Sequence, residues 1–137
     1  MKENYKFVDA NIFLRFLTND HREKTDRCEK LFKEAVEGNF TLYTSELVIA
    51  ELVWTLESFY KFPKKEIGSK LELLLNTPNL EVRDKDILLE ALLIYREKNI
   101  DFIDAYNGVF MKYNLIKEIY SYDKDMDRIS VIKRLEP

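Results

Sequence analysis

Carboxylates supply the chemistry open to this sequence, and they recur in one setting, at the end of a short β-type run or inside a helical one. Asp9 closes the run YKFVD within FVDANIFLRFL. Glu51 sits in SELVIAELVWTL, Ser45 to Leu56, and Asp101 and Asp104 open IDFIDAYNGVF. Asp123 follows EIYSY in SYDKDMDRI, with Asp125 and Asp127 behind it. Acids gathered without matching bases repel one another and raise each other's pKa values unless a cation is shared among them. Oxygen ligands select a hard ion, Mg2+ or Mn2+. Zinc is disfavoured, because the chain has one His and one Cys.

Each acid also has an ordinary reading. Asp9 and Asp123 suit helix N-caps or turns, and Asp101 suits an N-cap with Asp104 at the third helical position, complementing the helix dipole. The i, i+3 spacing places Asp101 and Asp104 on one helix face, which Asn107 and Gly108 extend. Gly108 costs about 1 kcal/mol relative to Ala in a helix interior, which implies that something passes close to that face. Glu51 is harder to dismiss. On a helix turning about 100° per residue, Leu47, Val48, Trp54 and Thr55 lie within about 60° of it, while Glu46 and Glu57 share a different face. Those two mark the expected solvent side, so Glu51 is expected to point inward and to need a compensating partner.

Three other acidic signatures fail on these residues. Asp123, Asp125 and Asp127 imitate the start of an EF-hand loop, but the required Gly and Glu are replaced by Arg128 and Arg134. A dehalogenase-type phosphatase needs Asp where Asn11 stands, and a receiver-type phosphoacceptor needs an acidic pair where FVDAN has one acid.

The elements that must position these acids alternate. YKFVD, FTLYT (Phe40 to Thr44), EIYSY (Glu118 to Tyr122) and VIKRL (Val131 to Leu135) are β-type runs, with LEVR (Leu80 to Arg83) a weaker fifth. Cys28, Leu31, Phe32, Ala35 and Val36 follow an i, i+3, i+4, i+7, i+8 pattern that stops at Gly38, a good C′ residue. Pro63 suits the first turn of a helix carrying Ile67, Leu71, Leu74 and Leu75, and Asp86 precedes another, ILLEALLIY. Strands alternating with helices argue for α/β with a mainly parallel sheet, and ligand sites in such sheets form where the strands end.

With 137 residues, 46% hydrophobic and 34% charged, the chain fits a single domain spanning residues 1–137. Its 22 Lys and Arg against 25 Asp and Glu give a net charge of −3, so no global basic field draws it onto nucleic acid or anionic lipid. Cys28 reads as a small core residue and His21 as a loop or cap residue. The start, MKENYKFVDAN, has no apolar signal core and no run is long enough to span a bilayer, so a soluble cytoplasmic protein is expected.

Taken in order, four segments resemble one family, the PIN domain, and within it the VapC-type toxin ribonucleases. FVDANIFLRFL is similar to the opening motif, with Asp9 as its acid and Asn11 as the accompanying polar residue. YTSELVIAELVWTL resembles the second, with Glu51 as the helical acid; IDFIDAYNGVF the third, with Asp104; and SYDKDMDRI the fourth, with Ser121 where Thr often stands and Asp123 as the last acid. Asp125 competes with Asp123 for the fourth place, Met126 replaces the more usual aromatic, and Asp101 is a common accompaniment.

The resemblance implies a three-layer α/β/α PIN-like fold with a mainly parallel central sheet of about five strands. It also implies that Asp9, Glu51, Asp104 and Asp123 hold one or two Mg2+ or Mn2+ ions and hydrolyse RNA phosphodiester bonds. The expected function is a metal-dependent endoribonuclease, the toxin of a type II toxin–antitoxin pair, with a small antitoxin as partner and a homodimer as a further expectation. The alternatives are a non-catalytic PIN-fold module that binds RNA or protein, and a housekeeping RNA-processing nuclease. Arg15, Lys112, Lys124 and Arg128 flank the motifs as candidate phosphate contacts, set against their ordinary reading as solvated charges. The eight Tyr and nine Phe fall at core-like spacings, with no discernible pattern for stacking on bases.

Overall fold

Very short strands and long helices alternate along the chain in the computed structural model, which describes residues 4–137. They divide into two compact units that meet in sequence between Lys85 and Asp86. The first carries β1 (Tyr5–Phe7), α1 (Ala10–Thr18), α2 (Arg22–Val36), β2 (Thr41–Thr44), α3 (Glu46–Ser58), α4 (Lys64–Leu75) and β3 (Leu80–Val82). The second carries α5 (Lys85–Lys98), α6 (Phe102–Tyr113), β4 (Glu118–Tyr120), a 3-10 turn at Lys124–Arg128 and β5 (Lys133–Leu135).

All five β-type runs form strands, and among the described residues every strand pairing is parallel. In the first unit β2 lies between β1 and β3, with Leu42 opposite both Lys6 and Leu80. Parallel neighbours need long crossovers, and here each crossover is a helix pair, α1 with α2 and then α3 with α4. In the second unit β4 pairs with β5 alone, Tyr120 opposite Leu135.

Local chemistry sets the ends of these elements. Helix α2 begins at His21, whose Nδ1 accepts from the Lys24 amide at 3.3 Å. It ends in a Schellman motif, in which the Gly38 amide donates to the Ala35 carbonyl and the Asn39 amide to that of Glu34. Gly38 holds φ at +90°, which suits glycine. Pro63 is the N-cap of α4 rather than a first-turn residue, and α5 starts one residue early, taking Asp86 into its first turn.

The first unit's core is broad. Phe13, Leu42, Ile49, Leu52, Leu56, Ile67, Leu71, Leu75 and Leu80 are fully buried, Phe13 and Phe32 stack at 5.7 Å, and Cys28 is buried. Thr25 ties α2 to α1 by donating to the Arg15 carbonyl at 2.8 Å. In the second unit α5 buries Leu88, Ala91, Leu92 and Tyr95 and α6 buries Phe102, Ala105 and Val109, while Ile100, Met126 and Ile129 form a small separate core against which Ile94, Ile119 and Ile132 pack.

That small core explains Gly108. A Cβ there would stand 2.7 Å from Cδ1 of Ile129, 3.2 Å from its Cγ2 and 3.3 Å from Cδ1 of Ile132. The close approach expected from the sequence is therefore the returning chain between the 3-10 turn and β5.

Candidate metal centre

Asp104 lies in the first turn of α6, and Asp123 and Asp125 lie at the start of the 3-10 turn. Each offers a carboxylate oxygen, and these oxygens fall within 4.8 Å of one another. Asp101 takes the N-cap position of α6, as its spacing predicts, but its side chain makes no capping hydrogen bond.

The local backbone aims the Asp123 side of this cluster. The Asp123 amide donates to Ser121 Oγ at 3.0 Å, and Asp123 Oδ1 accepts from the Asp125 amide at 2.9 Å. Strand pairing continues into Ser121, whose amide donates to the Leu135 carbonyl at 3.0 Å. Two arginines then clamp the segment. Arg134 Nη1 donates to the Ser121 carbonyl at 3.0 Å and to Glu136 at 2.6 Å, and Arg134 Nε to Asp127 at 3.2 Å. Arg128 donates to the carbonyls of Lys98 and Asn99 at the end of α5.

Crowding is visible in the proton affinity of Asp104. Burial, then a hydrogen bond with Asp123, then the negative charges of Asp123, Asp101 and Asp125 push its pKa up to about 6. A divalent cation resolves such repulsion directly. Three carboxylates within ligating range of a common point are a hard, all-oxygen donor set, and that set fits Mg2+ or Mn2+. Asp123 and Asp125, which the sequence left as competitors, both belong to it.

Asp9 and Glu51 lie in the first unit. Asp9 stands past the carboxyl end of β1, as expected, and caps α1 by accepting from the Ala10 amide at 2.8 Å; Asn11 follows it on the exposed side of α1. Thr44, which the sequence reading passed over, is fully buried, and its hydroxyl donates to the Val8 carbonyl at 2.9 Å. It locks the end of β2 to the end of β1, immediately before Asp9. A buried hydroxyl closing a strand was the available signal.

Glu51 is not directed inward. It is exposed, on the strip of α3 where Leu47 and Trp54 are 80% and 67% exposed. The buried face is instead Val48, Ile49, Leu52, Val53 and Leu56, and Leu47 and Trp54 do not anchor the helix. Glu46 and Glu57, expected to mark the solvent side, are half-buried, and Glu57 meets Lys64 at 3.9 Å.

Three of the four candidate phosphate contacts are engaged within the protein. Arg15 pairs with Asp20 at 2.8 Å, Lys112 with Glu90 at 3.0 Å, and Arg128 holds the backbone carbonyls named above. Lys124 is exposed directly after Asp123.

A family model for the PIN domain matches residues 6–132. The chain belongs to the PIN domain family. Its fold is accordingly the PIN fold, but among the described residues the parallel sheet of the first unit has three strands rather than the expected five or so, and β4 and β5 form a separate parallel pair in the second unit. This PIN domain is 31% identical over 124 residues to a VapC ribonuclease of Aquifex aeolicus strain VF5, covering 90% of this chain and 91% of that protein. It is also similar to the crystal structure of Mycobacterium tuberculosis VapC20, a sarcin-ricin-loop-cleaving toxin, at 17% identity and a TM-score of 0.40, over 96% of this chain and 98% of that one. Among the described residues, no helix is long and apolar enough to cross a membrane.

Proposed function

We propose that this PIN domain is a divalent-metal-dependent endoribonuclease and the toxin of a toxin–antitoxin pair. The observation that carries the reading is the convergence of Asp104, Asp123 and Asp125 in a chain 31% identical to a VapC ribonuclease.

When bound, one or two Mg2+ or Mn2+ ions supply the Lewis acidity that activates water and offsets charge on the phosphate. Asp104, Asp123 and Asp125 hold the cation. Ser121 Oγ holds the Asp123 backbone amide and the Asp125 amide holds the Asp123 carboxylate, so little reorganisation would remain when a cation binds. Asp104 would have to lose its proton to hold the cation, so metal affinity would fall as pH drops through about 6. Asp9 and Glu51, at the first and second motif positions, belong to the same required set of acids. Asn11 and Asp101 are accessory to it. Lys124 is placed to meet a neighbouring phosphate as a point charge.

The partner is a small antitoxin that covers the acidic residues, and two copies of the chain form the assembly. The experiment is cleavage of single-stranded and structured RNA by the purified protein with Mn2+, with Mg2+ and with chelator. Asp104→Asn and Asp123→Asn are each expected to lower the rate by about 100-fold or more, the scale on which removal of one electrostatic element of an active site is felt. Metal-independent cleavage, or full activity in both variants, would overturn the reading.

A further inference from the structure

Two exposed aromatic residues stand directly before the acidic segment. Tyr120 closes β4 and Tyr122 follows two residues later, and they are 72% and 71% exposed. Between and before them Ser121 and Ile119 are half-buried, Ile119 against the small core. This alternation has the period of a strand, and pairing does continue through the Ser121 amide. Tyr122 lies in the bend that follows β4, so the two exposed tyrosines stand two residues apart, about 7 Å along an extended chain, close to two base-step rises of a nucleic-acid strand. Singly exposed aromatics need no explanation. Two of them spaced two residues apart at the end of β4, running directly into Asp123 and the exposed Lys124, form an arrangement that a polynucleotide fits.

We propose that Tyr120 and Tyr122 are a base-stacking platform that positions single-stranded RNA for cleavage at the neighbouring acidic cluster. The proposal rests on the ribonuclease reading above and adds the form of its substrate. Every base has a π face, so the platform grips unpaired nucleotides with little regard to sequence, while a duplex keeps its bases out of reach. Lys124 supplies a cation for the backbone beside the scissile phosphate. Glu118, one strand repeat before Tyr120, is exposed and puts a like charge at the other end of the platform. The RNA therefore runs from the tyrosines toward the acids rather than back along β4.

The test measures binding and cleavage separately. Tyr120→Ala and Tyr122→Ala, each also combined with the cleavage-impaired Asp104→Asn, are titrated against a fluorescent single-stranded oligoribonucleotide and a matched strand carrying abasic positions. The expected result is a loss of about 5- to 150-fold in Kd per tyrosine on the base-containing strand. Little should be lost on the abasic strand, and Tyr→Phe should restore binding. Cleavage should show a raised KM with metal dependence unchanged. Wild type that cuts RNA while the Ala variants bind as tightly overturns the platform and leaves the nuclease standing. Ala variants that keep RNA affinity but lose a protein partner also overturn it, making this a protein-docking face. Wild type that neither binds nor cuts RNA overturns both readings.

Discussion

The acids of the two units are held in different ways. In the first unit they stand on elements fastened by a broad core: α3 buries Ile49, Val53 and Leu56 on the side opposite Glu51 and Val48 and Leu52 beside it, and Asp9 is fixed by a cap at the head of α1. In the second unit Asp123 and Asp125 ride on a 3-10 turn whose apolar support is little more than Met126 and Ile129. There Arg134 and Arg128 do the fastening, through carbonyls and carboxylates. A metal-binding segment held by charge and hydrogen bonds rather than burial belongs to the less stable end of a structure. A bound cation then adds stability to the 3-10 segment, which the buried faces of α5 and α6 do not themselves include.

Substitution in the broad core is the strongest way to probe this contrast. Leu71→Ala, at a fully buried position, is expected to cost about 2–5 kcal/mol in chemical denaturation, with little change in metal affinity measured under folding conditions. A comparable loss of Mn2+ binding would show that the cluster of Asp104, Asp123 and Asp125 does not bind metal independently of the first unit's core.

Arg134→Met removes the clamp while keeping much of its length. Calorimetry should show Mn2+ affinity reduced by about 10- to 100-fold, the usual effect of losing a group that orients metal ligands, with a smaller stability change than Leu71→Ala. Unchanged Mn2+ affinity would mean that the Ser121 and Asp127 contacts of Arg134 do not orient the cluster.

Gly108→Ala tests how little slack the small core has. The added methyl should improve helix propensity but press on Ile129 and Ile132, and the net expectation is a loss of about 1 kcal/mol. A gain in stability would show that the Ile side chains simply move aside.

Proton linkage at Asp104 gives the smallest effect. Its folded pKa, about 6, lies above the ordinary 3.8, so between those values the folded state holds a proton that the unfolded chain releases. Without metal, this group's contribution is therefore full below about pH 4 and is lost as pH rises through about 6. Solvent around the partly exposed carboxyl keeps the effect modest. Urea titrations at pH 4.5 and 7 should show the wild type losing more stability with rising pH than Asp104→Asn does. Equal slopes in the two proteins would remove the raised pKa of Asp104, from burial and from its acidic neighbours, as the cause.

Much of this was legible in the chain because it is written locally. The five β-type runs carry branched and aromatic residues, Gly38 ends α2 for a reason intrinsic to glycine, and the order of the four acidic motifs points to the family. Glu51 shows where local reading stops. Leu47 and Trp54 look like core residues by type, so a helical wheel turned α3 the wrong way. Only the packing of Ile49, Leu52 and Leu56 reveals which side is covered. Arg134 illustrates the same limit from the other direction, since a charged residue near the end of the chain gives no hint that it grips Ser121 and Asp127.

By itself, then, the sequence determined the alternation of strand and helix, the acidic character of the site and the family, because backbone propensity, capping and side-chain chemistry act over a few neighbouring residues. Tertiary structure decided the rest. It brought Asp104 to Asp123 and Asp125, set Gly108 against Ile129, turned Glu51 outward and left Tyr120 and Tyr122 open. Those outcomes depend on which surfaces meet when distant segments pack, and a stretch of chain carries no record of what will cover it.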